Sequence, residues 1–175
     1  MFVTTINLSH GTLAIHDRGK VATWVRASAS PPALWPPVAD TEGSLHVDGA
    51  VLDNLPVETM RHGGADRVIA VDVSTAGPFR VGPGSPEVAS ALTPFRGTDK
   101  TTRYPNLVKV LNRSAVVTSL RARELARESA DLLIVPELAG IGLTEYGSAA
   151  RIIELGYTAT CEALDRAQDD LAAWT

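Results

Sequence analysis

The sequence predicts an α/β fold, and three observations carry that expectation. Short β-branched apolar runs alternate along the chain with segments whose apolar residues recur at helical spacing. Between Leu45 and Val73 an apolar run, an Asp-Gly step, a proline-opened helix closed by Gly63-Gly64 and a second apolar run form a strand-loop-helix-strand unit. Finally, 175 residues, 45% of them hydrophobic and 21% charged, are enough for one domain with a core of its own.

Each element follows from local chemistry. Phe2 to Leu8 is β-branched and apolar from its first residue and reads as a strand. Thr12 to His16, after Ser9-His10-Gly11, completes a hairpin, and Asp17-Arg18-Gly19 turns the chain again. Lys20 to Ser28 has helical spacing with Val21, Trp24 and Val25 on one face. Pro31-Pro32 ends that helix, because the residue before proline is pushed out of the α region. A proline-rich loop through Trp35-Pro36-Pro37 leads to the strand that ends at Asp48, and beyond the Pro56 helix Val68 to Val73 reads as a buried strand.

Residues 74–104 are dominated by Gly, Pro, Ser and Thr and include Gly82-Pro83-Gly84-Ser85-Pro86, so a flexible loop or lid is expected there. Pro105 fits the first turn of a helix running to Ala130, with Leu107, Leu111, Val117, Leu120 and Leu125 at helical steps and Arg121, Arg123 and Arg127 on a solvated face. Asp131 to Leu138 reads as another buried strand. Gly147 to Trp174 supplies a long terminal helix with Ile153, Tyr157, Leu164 and Leu171 turned inward. No internal repeat is found.

Charge and composition exclude several function classes. Sixteen basic residues stand against twenty acidic ones, a net charge of −4 without any dense Lys/Arg block, so nucleic acid has no electrostatic footprint. The single cysteine, Cys161, makes neither an internal disulfide nor, by itself, a zinc site, and reads as a small apolar group. The N-terminal stretch lacks a basic n-region with a long apolar run behind it, and no segment approaches the ~20 apolar residues that span a bilayer. A cytoplasmic location is expected.

The residue that invites chemistry is Asp48. Asp48-Gly49 between apolar runs reads first as a two-residue hairpin turn and second as a carboxylate at a strand end, placed to act as a general base. Local sequence does not choose between them. His46 and Asp48 share one side of a strand at period two, but no third metal ligand is identifiable, so no metal site is assigned. His10, His16 and His62 are scattered, with His62 suited to a helix C-terminus. Gly82-Pro83-Gly84 is a loop and not a phosphate cradle, since proline removes a donor.

An ordered series of segments goes further. Val25-Arg26-Ala27-Ser28-Ala29-Ser30-Pro31-Pro32, Pro36-Pro37, Leu45 to Arg61 with Asp48-Gly49-Ala50 and Asn54-Leu55-Pro56, Gly64-Ala65 and Val68 to Val73 together resemble the second half of a patatin-like phospholipase domain, closest to its neuropathy target esterase-like branch. The resemblance extends upstream to Phe2-Val3-Thr4-Thr5 and His16. Downstream it reaches Leu143-Thr144-Glu145-Tyr146 and Glu154-Leu155-Gly156-Tyr157 more weakly.

That resemblance implies the C-terminal portion of a three-layer α/β/α domain, with residues 1–175 as a partial patatin-like domain whose beginning is truncated or mis-assigned. It implies ester hydrolysis by a Ser-Asp dyad in which Asp48 is the base, Gly49 and Ala50 complete its Asp-Gly-Ala box, and no cofactor takes part. The implied substrate is a phospholipid or lysophospholipid ester at a membrane surface, with the protein peripheral to that membrane.

Two family parts are not found in the sequence: the glycine-rich oxyanion loop and the Gly-x-Ser-x-Gly nucleophile elbow. Ser9, in Asn7-Leu8-Ser9-His10-Gly11, has the second glycine but not the first and lies between two strands rather than at a strand-to-helix turn. Ser28 and Ser30 read as helix-terminal hydroxyls. The chain is therefore expected to be inactive alone, with a bare apolar strand edge, unless a second chain bearing the elbow completes it. A non-catalytic remnant serving as a protein-interaction module is the alternative, and a small α/β ligand-binding domain unrelated to esterases is a third reading.

Overall fold

A computed structural model of the chain describes residues 1–74, 107–138, 141 and 145–174. In chain order the elements are β1 (Val3–Asn7), β2 (Thr12–His16), α1 (Val21–Ser28), β3 (Val38–Ala39), β4 (Leu45–Asp48), a 3-10 turn (Gly49–Val51), α2 (Val57–His62), β5 (Ile69–Val71), α3 (Leu107–Val117), α4 (Leu120–Ser129), β6 (Leu132–Ile134), a second 3-10 turn (Tyr146–Ser148), α5 (Ala149–Arg166) and α6 (Gln168–Ala172). The α/β class stands. Two compact units share these elements, the first holding Met1–Asn54 and the helical residues up to Ala122, the second the chain from Leu55 and again from Arg123 onward. The expected loop over residues 74–104 falls, apart from Ser74, outside the described residues, as do Pro105 and Leu143-Thr144.

The first unit is an antiparallel sheet in the order β2-β1-β4-β3. The expected hairpin is present, with Val3 opposite His16 and Asn7 opposite Thr12. On its other side β1 pairs with β4, Thr5 opposite Asp48 and Asn7 opposite His46. Alternation then places Thr5, His16, His46 and Asp48 on one face and Ile6 and Val47 on the other, where both apolar residues are buried.

Helix α1 packs against β1, β3 and β4. Its buried residue is Ala27, whereas Val21 and Val25, two of the three apolar residues that share one face of the helix, are exposed. A small side chain lets a short helix approach a sheet closely, so the alanine side is the one that docks.

The second unit holds a parallel pair, β5 and β6, with Ile69 opposite Leu132 and Val71 opposite Ile134. One cluster gathers Leu55, Val57, Val68, Ala70 and Ala126. A second gathers Leu132, Ile134 and Ala163, with Ala159, Ala167 and Trp174 packed against it.

The expectation of a buried strand at Val68 to Val73 holds for one face only, since Ile69, Val71 and Val73 are exposed while Val68 and Ala70 are buried. The terminal helix is likewise turned over: Ile153 and Tyr157 are each 72% exposed and Leu164 is exposed, while Ala163 faces β6. It also ends at Arg166, with α6 following.

The single helix expected to run to Ala130 is two helices. Thr118 Oγ1 lies 2.7 Å from the Ala115 carbonyl and Ser119 Oγ 2.9 Å from that of Val116, so hydroxyls take up the terminal carbonyls and close α3. Pro56 and Gly63 flank α2 as expected, and His62 Nδ1 lies 2.8 Å from the Glu58 carbonyl at its C-terminus.

Candidate active site

The backbone at Asp48 is fastened before its side chain is considered. Asp48 closes β4 opposite Thr5, and its N–H donates to the Ser30 carbonyl at 3.1 Å. The chain then enters the 3-10 turn Gly49–Val51 and does not fold back on β4, so the two-residue hairpin reading is not what the sequence builds here. The Ala50 N–H donates to Asp48 Oδ1 at 2.9 Å, fixing the carboxylate over the first turn.

Gly49 is buried, and a Cβ there would stand 2.7 Å from Thr4 Oγ1 and 2.8 Å from the Thr4 carbonyl oxygen. Any side chain would push β1 away, so this position requires glycine. Asp48, Gly49 and Ala50 thus form one turn, with Ala50 supplying a hydrogen bond and Gly49 the room.

Burial raises the pKa of Asp48 above its usual value, and the Ala50 amide works against that rise by favouring the ionised form. A half-buried carboxyl with raised proton affinity at a strand end can take a proton from a neighbouring group.

A second polar group lies on the same face of the sheet, and sequence reasoning missed it. Thr5 Oγ1 stands 2.7 Å from His16 Nε2 and 2.9 Å from His46 Nδ1, and His46 Nε2 stands 3.1 Å from Asp40 Oδ2. Thr5 is 0% exposed and His46 2%. The His16 ring stacks on Trp24 at 3.6 Å between centroids, and His46 meets both rings edge-on at 5.2 Å. Burial lowers the pKa of His16 and the nearby His46 adds to that, while Asp40 opposes it. The His46 hydrogen bond leads in lowering Asp40.

Both nitrogens of His46 are therefore engaged by protein groups, Nδ1 by Thr5 and Nε2 by Asp40. Among the described residues no group of three or more His, Cys, Asp or Glu side chains stands together as a metal site. The only signal for this chain of contacts was the period-two placement of Thr5, His16 and His46, and period two does not say which strands will be neighbours.

The serines have other occupations. Ser9 lies in the exposed β1–β2 turn, where its Oγ accepts from the Leu45 N–H at 3.2 Å. Ser30 is buried and donates to the Arg26 carbonyl at 2.7 Å, as a helix-terminal hydroxyl does.

The loop between Ser30 and Val38 is held to β4 at both ends, by the Asp48–Ser30 bond and by the pairing of Val38 with His46. Leu34 and Trp35 are exposed on it. No helix of the described residues is long and apolar enough to cross a membrane.

Comparison with known proteins adds to this geometry. The family described as patatin-like phospholipase matches residues 3–61, the stretch that builds the sheet and the Asp48 turn. The chain is 31% identical over 173 residues to lysophospholipase NTE1 of Pyricularia oryzae, covering 97% of this chain and 11% of that protein. It is 34% identical over 131 residues to lysophospholipase NTE1 of Scheffersomyces stipitis, covering 73% of this chain and 8% of that one. For lysophospholipase NTE1 of Yarrowia lipolytica the figures are 35% over 134 residues, 73% and 9%. The chain thus spans about a tenth of the length of the curated relatives it matches. With β1, the hairpin and the Asp-Gly-Ala turn all inside the matched segment, the chain belongs to the patatin-like phospholipase family, in the branch of the NTE1 lysophospholipases.

Proposed function

We propose that this chain is part of a patatin-type serine acyl-hydrolase that cleaves phospholipid or lysophospholipid esters, with Asp48 as the base of a Ser-Asp dyad. The observation that carries this reading is the Asp48 turn: a half-buried carboxyl of raised pKa at a strand end, oriented by the Ala50 amide beside a glycine with no room for a side chain. Within a dyad, Asp48 takes the proton of a serine hydroxyl as it attacks the ester carbonyl and gives it to the departing alcohol. It then takes a proton from the water that cleaves the acyl-enzyme and returns it to the released serine. Exposed Leu34 and Trp35, on the loop held to β4 at both ends, suit an amphiphilic substrate at a membrane surface.

The 175 residues contain no Gly-x-Ser-x-Gly. In this proposal a nucleophile and its oxyanion donors come from a further segment or a second chain, and these residues alone do not turn over esters.

The test is hydrolysis of a short-chain chromogenic ester and of a lysophospholipid by two forms, the chain as given and the chain joined to a segment bearing the oxyanion loop and elbow. Each form is assayed beside its Asp48→Asn variant. Turnover by the completed form alone, reduced at least about 10²-fold by Asp48→Asn, is expected, in the range that general acid–base groups contribute. Ester hydrolysis by the 175 residues that survives Asp48→Asn would overturn the proposal.

A second reading rests on one observation, the exposed row of Ile69 and Val71 on β5 with Val73 just beyond it. That face fits a non-catalytic interaction module, and well-folded completed protein without turnover would favour it.

A further inference from the structure

The group formed by Asp40, His46, Thr5 and His16 has no part in the dyad reading, yet its two central members, Thr5 and His46, are buried. Hydrogen counting gives it a direction. Ionised Asp40 can only accept, so His46 Nε2 carries the proton between them. With one proton on its ring, His46 presents Nδ1 as an acceptor, and the Thr5 hydroxyl must donate to it. Thr5 has then used its only hydrogen and accepts from His16 Nε2. Each donor has one acceptor from His16 to Asp40, and the reverse sense would leave the Asp40 carboxylate without a donor from His46.

The same chain runs across the strands. His16 belongs to β2, Thr5 to β1 and His46 to β4, while Asp40 lies in the β3–β4 turn and accepts the Glu42 and Ser44 amides on Oδ1 at 2.9 and 2.8 Å. It is a transverse polar strut, closed on its His16 end by the Trp24 ring. Strand β1, which it holds at the centre, is the strand that matters to the candidate site. Thr5 lies directly opposite Asp48 in register, and Thr4 forms the wall against Gly49.

We propose that Thr5, His46 and Asp40 are positioning residues for Asp48, holding β1 at the distance from β4 that seats the Asp48-Gly49-Ala50 turn. Its catalytic meaning rests on the dyad reading. Its geometric content does not, so the test reads Asp48 itself and not turnover.

The side-chain carboxyl of Asp48 is followed by carbon-detected NMR across an acid titration of the full chain, with the ring nitrogens of His16 and His46 followed in parallel. Wild type is compared with Thr5→Val, which keeps the shape and removes the hydroxyl, with Thr5→Ser, which restores it, and with Ile6→Val, which trims the opposite face of the same strand. Loss of the strut lets water reach the turn, so the Asp48 midpoint in Thr5→Val is expected to fall by about half a unit or more toward the ordinary carboxyl value. Thr5→Ser and Ile6→Val are expected to stay within about 0.2 units of wild type on the same grounds.

Wild-type His46 is expected to show a bare Nδ1 and a protonated Nε2. Asp40→Asn, at the partly exposed end of the strut, provides a second route should Thr5→Val not fold; it removes the charge that sets the direction, and the His46 tautomer is expected to reverse with a smaller fall at Asp48. An Asp48 midpoint unmoved in Thr5→Val, or moved as far in Ile6→Val, would overturn the proposal, as would a wild-type His46 protonated on Nδ1 alone. If ester turnover is absent from every completed form while Asp48 still responds to Thr5, the dyad reading fails and the strut stands.

Discussion

The two units fasten their buried polar groups in opposite ways. The antiparallel unit uses a hydroxyl and two imidazoles in a row and ends on a single carboxylate. The parallel unit uses ion clusters. Buried Asp72 accepts Arg123 Nε at 2.7 Å, lies 3.7 Å from Arg127 Nε and takes the Ser74 amide at 3.1 Å. Asp131 accepts Arg61 at 2.9 Å, Arg67 at 3.1 Å and the Val68 amide at 2.8 Å, and Arg67 stacks over the Trp174 ring at 5.5 Å.

The difference follows from what each must hold. The first unit aligns neighbouring strands within one sheet, where a short chain of directional bonds suffices. The second joins β5, α4 and the ends of α2 and β6, where arginines reach across from element to element. Arg123 and Arg127, expected on a solvated face, point instead at Asp72.

The largest effect separating the two is expected from Asp72→Ala. It leaves Arg123, 14% exposed, without its carboxylate, and should cost about 3 kcal/mol, the low end for breaking a buried pair because Arg127 remains half exposed. Urea unfolding followed at the Trp174 indole resonance reads the loss. An unchanged midpoint would show that the cluster contributes nothing net.

Gly49→Ala comes next, on the other side of the comparison. The new methyl must displace Thr4 backbone, so a loss of about 1–3 kcal/mol is expected, in the range for overpacking, with a moved Asp48 carboxyl signal. Stability equal to wild type would show that β1 gives way without resistance.

Acid sharpens the contrast more gently. The folded pKa of His16 lies below the usual 6.5, so its contribution is complete above 6.5 and is lost as pH falls through the lowered value. Asp72 is lowered, with burial opposing and the Ser74 and Arg123 hydrogen bonds prevailing; Asp131 is lowered first by the Val68 amide. Their contributions are present above the usual 3.8 and fail only as pH falls below it. Asp48 has the opposite sign: its raised pKa favours the folded state below 3.8, and that contribution is lost as pH rises through the folded value. The Trp24 indole resonance should therefore respond near and below pH 6.5, before that of Trp174. The reverse order would break the comparison.

The smallest effect is expected from Ile153→Ser and Tyr157→Ser, within about 0.5 kcal/mol of wild type because both side chains lie in solvent. A loss of several kcal/mol would restore the inward face that periodicity suggested.

That last pair shows where sequence reading stops. The hairpin, the short helix between Pro56 and Gly63, and the turn at Asp48 were legible because alternation, proline and glycine act on their own neighbours. The faces of α1 and α5 were not. Each carries a stripe of large apolar residues and a side of small ones, and the sheet took Ala27 and Ala163. Periodicity reports that stripes exist, while the partner's shape decides which one docks. Asp48 was singled out from sequence, whereas the strut was not: its contacts join residues 6, 11 and 41 positions apart, with no spacing rule to connect them.

The complete burial of Thr5 has a spectroscopic consequence. Hydroxyl protons normally trade with water too fast to be seen, but this one is sealed from solvent and lies between two imidazoles. It is expected to persist as a separate proton line at ambient temperature, with a cross-peak to the His46 ring. As a single hydrogen donated to His46, it reports directly on whether the sheet beneath Asp48 is closed.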